Sequence, residues 1–246
     1  MRVADLLDAA ERLPFRPVRE ALDDRPFIVV ATHPDDESLG CGGLIASACR
    51  EGLHGKVAVV SDGAGSHPSS KAFPPERLAP LCEEETIRAA AALGLKSHDV
   101  LFLRLPDRLV PHQGEEAERA IAALVDCVRA IGARSLFVSW RHDPHCDHLA
   151  SYQIARQVQT RADGLKLFEY VVWGHTLPPS NEVSPIHGGF KIHVDVEVLE
   201  RKRSAIAAHR SQTSGLIADD PHGYLFSQID RGLFDRPYEF FLESSP

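Results

Sequence analysis

The chain lacks a cysteine framework. Its five cysteines (41, 49, 82, 127 and 146) form no CxxC pair and no regular spacing. A disulfide-stapled scaffold is therefore excluded, and the thiols read as reduced, as in a cytosolic protein. No stretch approaches the ~18 apolar residues that span a bilayer, so no membrane span is expected. The segment from Met1 to Asp24 carries charges throughout and has none of the apolar core that a signal peptide needs. Clustered positive charge is missing as well. Lys and Arg number 27 against 35 Asp and Glu, a formal net charge of −8, and they are scattered along the chain. A nucleic-acid surface needs concentrated cations, so no nucleic-acid partner is expected. Internal repeats and low-complexity tracts are also absent. These absences leave an ordinary soluble globular protein, expected in the cytoplasm, with 43% hydrophobic and 25% charged residues.

A length of 246 residues suits one large α/β domain, and a single domain over 1–246 is the expectation. Residues 3–13 have helical apolar spacing and then meet Pro14 and Pro17, which gives a leading helix and linker over 1–24. Phe27 to Ala31 is a short continuous apolar run, the pattern of a strand buried on both faces. The small-residue segment from Leu39 to Gly52 reads as a closely packed helix. Strands over 56–61, 101–105, 135–140 and 165–173 then alternate with helices over 76–93, 115–131 and 148–161. Such alternation predicts a Rossmann-like three-layer sandwich, with a mostly parallel central sheet covered by helices on both faces. Residues 175–189 hold too much Pro, Ser and Gly for a packed element and are expected to form a mobile loop or flap. A half-exposed strand over 190–196 and a helix over 197–209 follow.

Two polar clusters begin immediately after predicted parallel strands, His33-Pro34-Asp35-Asp36-Glu37 and His145-Cys146-Asp147-His148. Open α/β sheets bind ligands beyond the carboxyl ends of their strands, so both clusters stand where a site belongs. His33 and Asp36 are three apart in a turn entering a helix, and His145 and His148 repeat that spacing around Asp147. Neutral imidazoles with a carboxylate suit Zn²⁺, and three protein ligands with a fourth position for water define a catalytic site. Asp35, beside Asp36 but projecting differently, is the candidate base for that water. Either cluster alone also reads as a turn in which Asp35, Asp36 or Ser38 caps a helix. Two such clusters at two strand ends are much harder to explain by capping.

At these residues the chain resembles the LmbE/PIG-L-type N-acetylglucosaminyl deacetylases, which carry an HPDDE motif after the first strand and an HxDH motif after a later one. The resemblance extends through Gly40-Cys41-Gly42-Gly43, Leu93-Gly94, Leu105-Pro106-Asp107 and His209-Arg210-Ser211-Gln212. It implies zinc ligands His33, Asp36 and His148, with Asp35 as general base. It also implies that His145 stabilises the oxyanion or protonates the leaving amine, with Asp147 holding its imidazole. The chain departs from the family pattern at Cys82, where many members carry an arginine three residues before a glutamate, here Glu85. It departs again at Ala64, where many members carry a glutamate.

Asp107 is a candidate sugar-hydroxyl ligand, or else a turn initiator. Asp62, Ser66 and His67 lie in a loop at the same sheet edge and are candidate pocket residues. Arg77 is a candidate stand-in for the missing arginine. His209, which the resemblance reaches, also reads as a helix C-terminal histidine favoured by the helix dipole. The expected activity is hydrolysis of an N-acyl group, acetyl in the first instance, from an amino sugar or its conjugate. Zn²⁺ is the expected cofactor, although such sites accept other divalent metals. The alternatives are an amidase acting on a non-sugar amine or thiol conjugate, and a non-catalytic metal- or carbohydrate-binding protein. A small-molecule substrate is the expected partner, and a homo-oligomer stays open.

Overall fold

Every residue of β1 (Phe27–Ala31) is buried, and its successive side chains enter two different cores. Phe27, Val29 and Ala31 join one hydrophobic cluster, while Ile28 and Val30 join the other. A strand with a two-residue side-chain period that is apolar at every position can only sit between two covered faces. That is the sheet's organising constraint. The computed structural model describes residues 1–226 and 232–244.

The other strands are β2 (Gly55–Ser61), β3 (Val100–Leu105), β4 (Ser135–Ser139), β5 (Lys166–Tyr170), β6 (Gly189–His193) and β7 (Tyr238–Glu243). They form one seven-stranded sheet in the order β3-β2-β1-β4-β5-β7-β6. β1 to β5 pair in parallel, and β7 runs antiparallel to both β5 and β6. Helices α3 (Asp36–Arg50), α4 (Pro75–Leu93) and α7 (Val196–Ala208) cover one face, and α5 (Gly114–Ile131) and α6 (Cys146–Arg161) cover the other. The expected three-layer, mostly parallel architecture is observed. β7 falls in residues 210–246, to which pattern alone assigns no element. It enters the sheet between β5 and β6, a long-range pairing that local periodicity does not encode.

The small residues of α3 are explained by close packing. A Cβ added at Gly40 would lie 2.2 Å from the ring of Tyr170 on β5, and one at Gly43 would lie 2.5 Å from Val194. Glu239 on β7 accepts from the N–H groups of Gly43 and Leu44 at 2.7 and 2.8 Å, and pairs with Lys202 of α7 at 2.7 Å. These contacts fix how closely the middle of α3 packs against β5, β7 and α7.

The leading helix α1 (Val3–Glu11), followed by the one-turn α2 (Val18–Ala21), packs Val3, Leu6 and Ala10 into a cluster with Trp140, Val171 and Leu242. Its start is also stitched to segment 175–189. Val3 N donates to Asn181 O at 2.9 Å and Ala4 N to Pro179 O at 3.1 Å, and Val183 N donates to Met1 O at 2.8 Å. Ser184 N reaches His142 Nε2 at 3.1 Å. The segment expected as a flap therefore has anchored backbone along its middle. No helix among the described residues is long and apolar enough to cross a membrane.

Candidate active site

The strand order reverses between β1 and β4. From β1 the chain moves outward through β2 to β3, then returns to β4 and β5 on the other side. Loops leaving two such strands diverge around a crevice, where open α/β sheets bind ligands. Here they are residues 32–35, running into α3, and residues 140–145, running into α6. A buried hydrogen bond of 2.7 Å between Thr32 Oγ1 and Ser139 Oγ ties the two strand ends together.

Three donors converge in the crevice. Asp36 Oδ2 lies 3.6 Å from His33 Nδ1 and 3.3 Å from His148 Nε2. Donor atoms of His33, Asp36 and His148 all fall within 4.8 Å of one another. Asp36 Oδ1 and His148 Nε2 are buried with no hydrogen-bond partner among the described residues. Buried polar atoms are seldom left so unless a further group binds there. Two imidazoles and a carboxylate are a donor set suited to a divalent cation. The residues present fit a metal ion.

The local charges agree. Burial opposes protonation of His148, but the Asp36 and Asp143 carboxylates outweigh it and lift its pKa to about 9. Burial likewise opposes ionisation of Asp36, yet His148 and His33 hold it far below the usual carboxylate range. A field that retains protons on imidazoles also favours a metal cation in their place.

Asp143 was not singled out from the sequence. Its Oδ2 lies 2.9 Å from His148 Nδ1, with both side chains fully buried, and also accepts from Val172 N at 3.1 Å. A carboxylate on the far nitrogen sets the tautomer and aims Nε2 at the other donors. The only signal in the sequence is an Asp-Pro turn five residues before a histidine.

Asp35 has φ 133° and ψ −28°, a backbone conformation costly for any residue with a Cβ and typical of functional turns. Its N–H donates to Glu37 Oε2 at 3.1 Å. Glu37 is held by Ser38 Oγ at 2.7 Å and by His209 Nε2 at 2.9 Å. His209 therefore braces the turn from behind and does not line the cavity. The Asp35 carboxylate faces the cavity and accepts no hydrogen bond among the described residues. Burial, followed by the charges of Asp36 and Glu37, pushes its pKa well above the ordinary carboxylate value. It is a stronger base than an exposed carboxylate.

His145 caps α6, its Nδ1 accepting from the Asp147 N–H at 3.2 Å. That bond places the ring proton on Nε2. Burial, and then the charges of His33 and His148, lower its pKa. The expectation that the Asp147 carboxylate holds this imidazole is corrected. Asp147 Oδ2 accepts from Arg108 N at 2.6 Å and lies 3.3 Å from His33 Nε2, while Oδ1 accepts from Val110 N at 3.1 Å. The hydrogen bond between Asp147 and His145 therefore runs through the Asp147 N–H, while a carboxylate oxygen stays within 4.8 Å of an imidazole nitrogen without bonding to it.

A cavity of about 510 Å³ opens over these groups. Asp107 and Ser66 line it, as expected from the sequence. Asp107 Oδ1 lies 3.3 Å from His33 Nε2, and Oδ2 accepts from Gly65 N at 2.8 Å. Burial opposes its ionisation, but His33 and that N–H keep its pKa below the ordinary value.

The other substrate candidates lie elsewhere. Asp62 closes its own turn by accepting from Ala64 N at 3.0 Å. His67 is buried beneath Gly223, with Nδ1 3.2 Å from Ser66 Oγ. Arg77 donates to Ala72 O at 2.6 Å and lies 4.2 Å over the Phe73 ring. Cys82 is buried with Sγ against Gly63, and burial drives its thiol pKa up. Position 82 thus supplies no cation. Lining residues that pattern reading did not assign to the site include Arg108, Trp173, Gln212, His222 and Tyr224.

Residues 28–159 match the family model described as PIG-L, GlcNAc-PI de-N-acetylase. No curated protein matches the chain. Among solved structures, N,N'-diacetylchitobiose deacetylase from Pyrococcus horikoshii is similar with a TM-score of 0.66 at 19% identity, covering 97% of this chain and 90% of its own. A teicoplanin deacetylase in its zinc-inhibited form has a TM-score of 0.63 at 15% identity, covering 89% of this chain and 97% of its own. A 4-carboxy-2-hydroxymuconate hydratase from Pseudomonas putida has a TM-score of 0.61 at 15% identity, covering 90% and 97%. At these identities the likeness is one of fold, and the hydratase makes plain that the fold alone does not select the reaction. The chain belongs to the PIG-L family, whose model is described by de-N-acetylase activity.

Proposed function

We propose that this PIG-L family member is a zinc-dependent hydrolase that removes an N-acyl group, acetyl in the first instance, from an amino sugar or its conjugate. The whole chain would act as one domain in the cytoplasm. One observation carries the reading. Asp35, a buried carboxylate on a strained turn, lines the same cavity as His33, whose donor atom converges with those of the buried Asp36 and His148, and it is committed to no other partner among the described residues.

In this reading His33, Asp36 and His148 hold the ion and Asp143 orients His148. A bound divalent cation polarises the amide carbonyl and acidifies water. Asp35 takes a proton from the attacking water as the new C–O bond forms and the carbonyl electron pair moves to oxygen. The His145 Nε2–H donates a hydrogen bond to that oxyanion. Collapse then breaks the C–N bond, and the proton held on Asp35 passes to the departing amine. His145 Nδ1 is already an acceptor, so His145 serves as a neutral donor and Asp35 carries the proton in both directions. Trp173 and Tyr224, packed edge to face at 5.6 Å, offer an apolar wall for the remainder of the substrate.

The second reading, an amidase for non-sugar amine or thiol conjugates, is kept open by the buried Cys82. The test is a panel of N-acetylated sugars and non-sugar amides, assayed by amine release with zinc-loaded wild type and Asp35→Asn. The substitution is expected to leave zinc bound and to reduce hydrolysis at least ~10²-fold. Equal activity in the two proteins would refute the role of Asp35, and turnover of non-sugar amides alone would favour the second reading.

A further inference from the structure

Among the described residues, Arg108 is the only lysine or arginine that lines the cavity, and its guanidinium has no ion-pair partner there. Its placement is built rather than incidental. The residue adopts φ 68°, a left-handed conformation that a non-glycine residue holds only under constraint. The constraint is Asp147, whose carboxylate accepts from Arg108 N at 2.6 Å and from Val110 N at 3.1 Å, clamping the turn on both sides. The side-chain stem crosses Gly65 so closely that a Cβ there would lie 2.7 Å from both Cγ and Cδ of Arg108. Gly65 is itself fixed by donating to Asp107 Oδ2 at 2.8 Å. One carboxylate, Asp147, thus contacts His33 in the crevice and also sets the backbone of a cation at the rim.

The other charged side chains of the lining are the carboxylates Asp35 and Asp107, which do not themselves attract an anion. An unpaired guanidinium held at the exposed rim favours one. A planar fork of donors is also the group that best recognises a carboxylate or a phosphate.

We infer that the substrate carries an anionic group, carboxylate or phosphate, on the side away from the scissile amide, and that Arg108 is the specificity-determining residue that binds it. The inference rests on the proposed amide hydrolysis for the orientation of the substrate, but not for the contact itself.

The test separates the two. Binding of N-acetylglucosamine, N-acetylglucosamine 6-phosphate and N-acetylglucosaminuronic acid, whose anions both stand on C6, is measured by calorimetry on zinc-loaded Asp35→Asn protein, with and without Arg108→Met. Catalytic efficiency on the same three compounds is measured with wild type, Arg108→Met and Arg108→Lys. At least about tenfold tighter binding of an anionic compound over the neutral sugar is expected. That ratio should collapse toward one in Arg108→Met and recover in part in Arg108→Lys, with a salt dependence that the neutral sugar does not share. The two anionic compounds distinguish carboxylate from phosphate. No preference for either anion, no binding of any of the three, or a preference that survives Arg108→Met would overturn the inference. Anion-selective binding without turnover would instead keep Arg108 and refute the hydrolysis.

Discussion

Replacing Asp143 by Asn preserves the shape of the side chain but removes the charge that holds His148 Nδ1. Metal affinity should fall roughly 10–100-fold, measured by competition with a chromogenic chelator, while the fold is retained. Unchanged affinity would mean that His148 needs no such partner. This residue also shows where sequence reading stops. His33, Asp35, Asp36 and His148 were legible because chemically loaded side chains stood directly beyond two strand ends. Asp143 stands in the same loop but faces inward because the chain turns over residues 140–143, where Asp143 N donates to Trp140 O at 3.0 Å. His145 and Asp147 were legible as site residues, yet their contact was not. Whether an imidazole meets a carboxylate or a backbone N–H depends on which residue caps α6, and pattern placed that helix start near 148 rather than at Cys146. Asp62, His67, Arg77 and His209 share the sheet edge that bears the cavity, and proximity in sequence could not separate lining from bracing.

Among the elements, the five parallel strands were readable because each is a short run rich in apolar residues and the first four are each followed by a long helix. β7 and the stitching of segment 175–189 were not, because both depend on pairing between distant parts of the chain. The turn that joins β5 to that segment carries a consequence for pH. His175 is half-buried with Phe240 edge-on to its ring, 6.3 Å between centroids. Burial and then the charge of Arg236 lower its pKa from 6.5 to about 4, against a smaller opposing pull from Asp143 and Glu11. Below 6.5 the unfolded chain therefore binds a proton that the folded chain refuses. The stabilisation from a neutral His175 is complete above that pH and is lost as pH falls toward 4, worth up to about 3 kcal/mol. His175→Gln should therefore lose less thermal stability than wild type between pH 7 and pH 4.5. Parallel pH profiles of the two melting temperatures would show that this histidine contributes nothing to the acid limb.

Across the whole molecule, one topological feature organises the account. Strand order reverses between β1 and β4, so two segments more than a hundred residues apart in sequence open onto one crevice. Alternating strands and helices made the parallel sheet legible, and the positions of the two polar clusters made the reversal the natural place for a site. The size and lining of the cavity were not legible, because Trp173 and Tyr224 come from loops, and Gln212 from a one-turn helix over Arg210–Thr213, whose placement follows tertiary packing. The central claim is that His33, Asp36 and His148 form one metal centre beside Asp35. Anomalous X-ray scattering recorded above and below the zinc edge, from crystals of the zinc-loaded protein, tests it most directly. The account predicts one strong peak per chain within coordination distance of those three side chains. A peak elsewhere, or none between them, would contradict it.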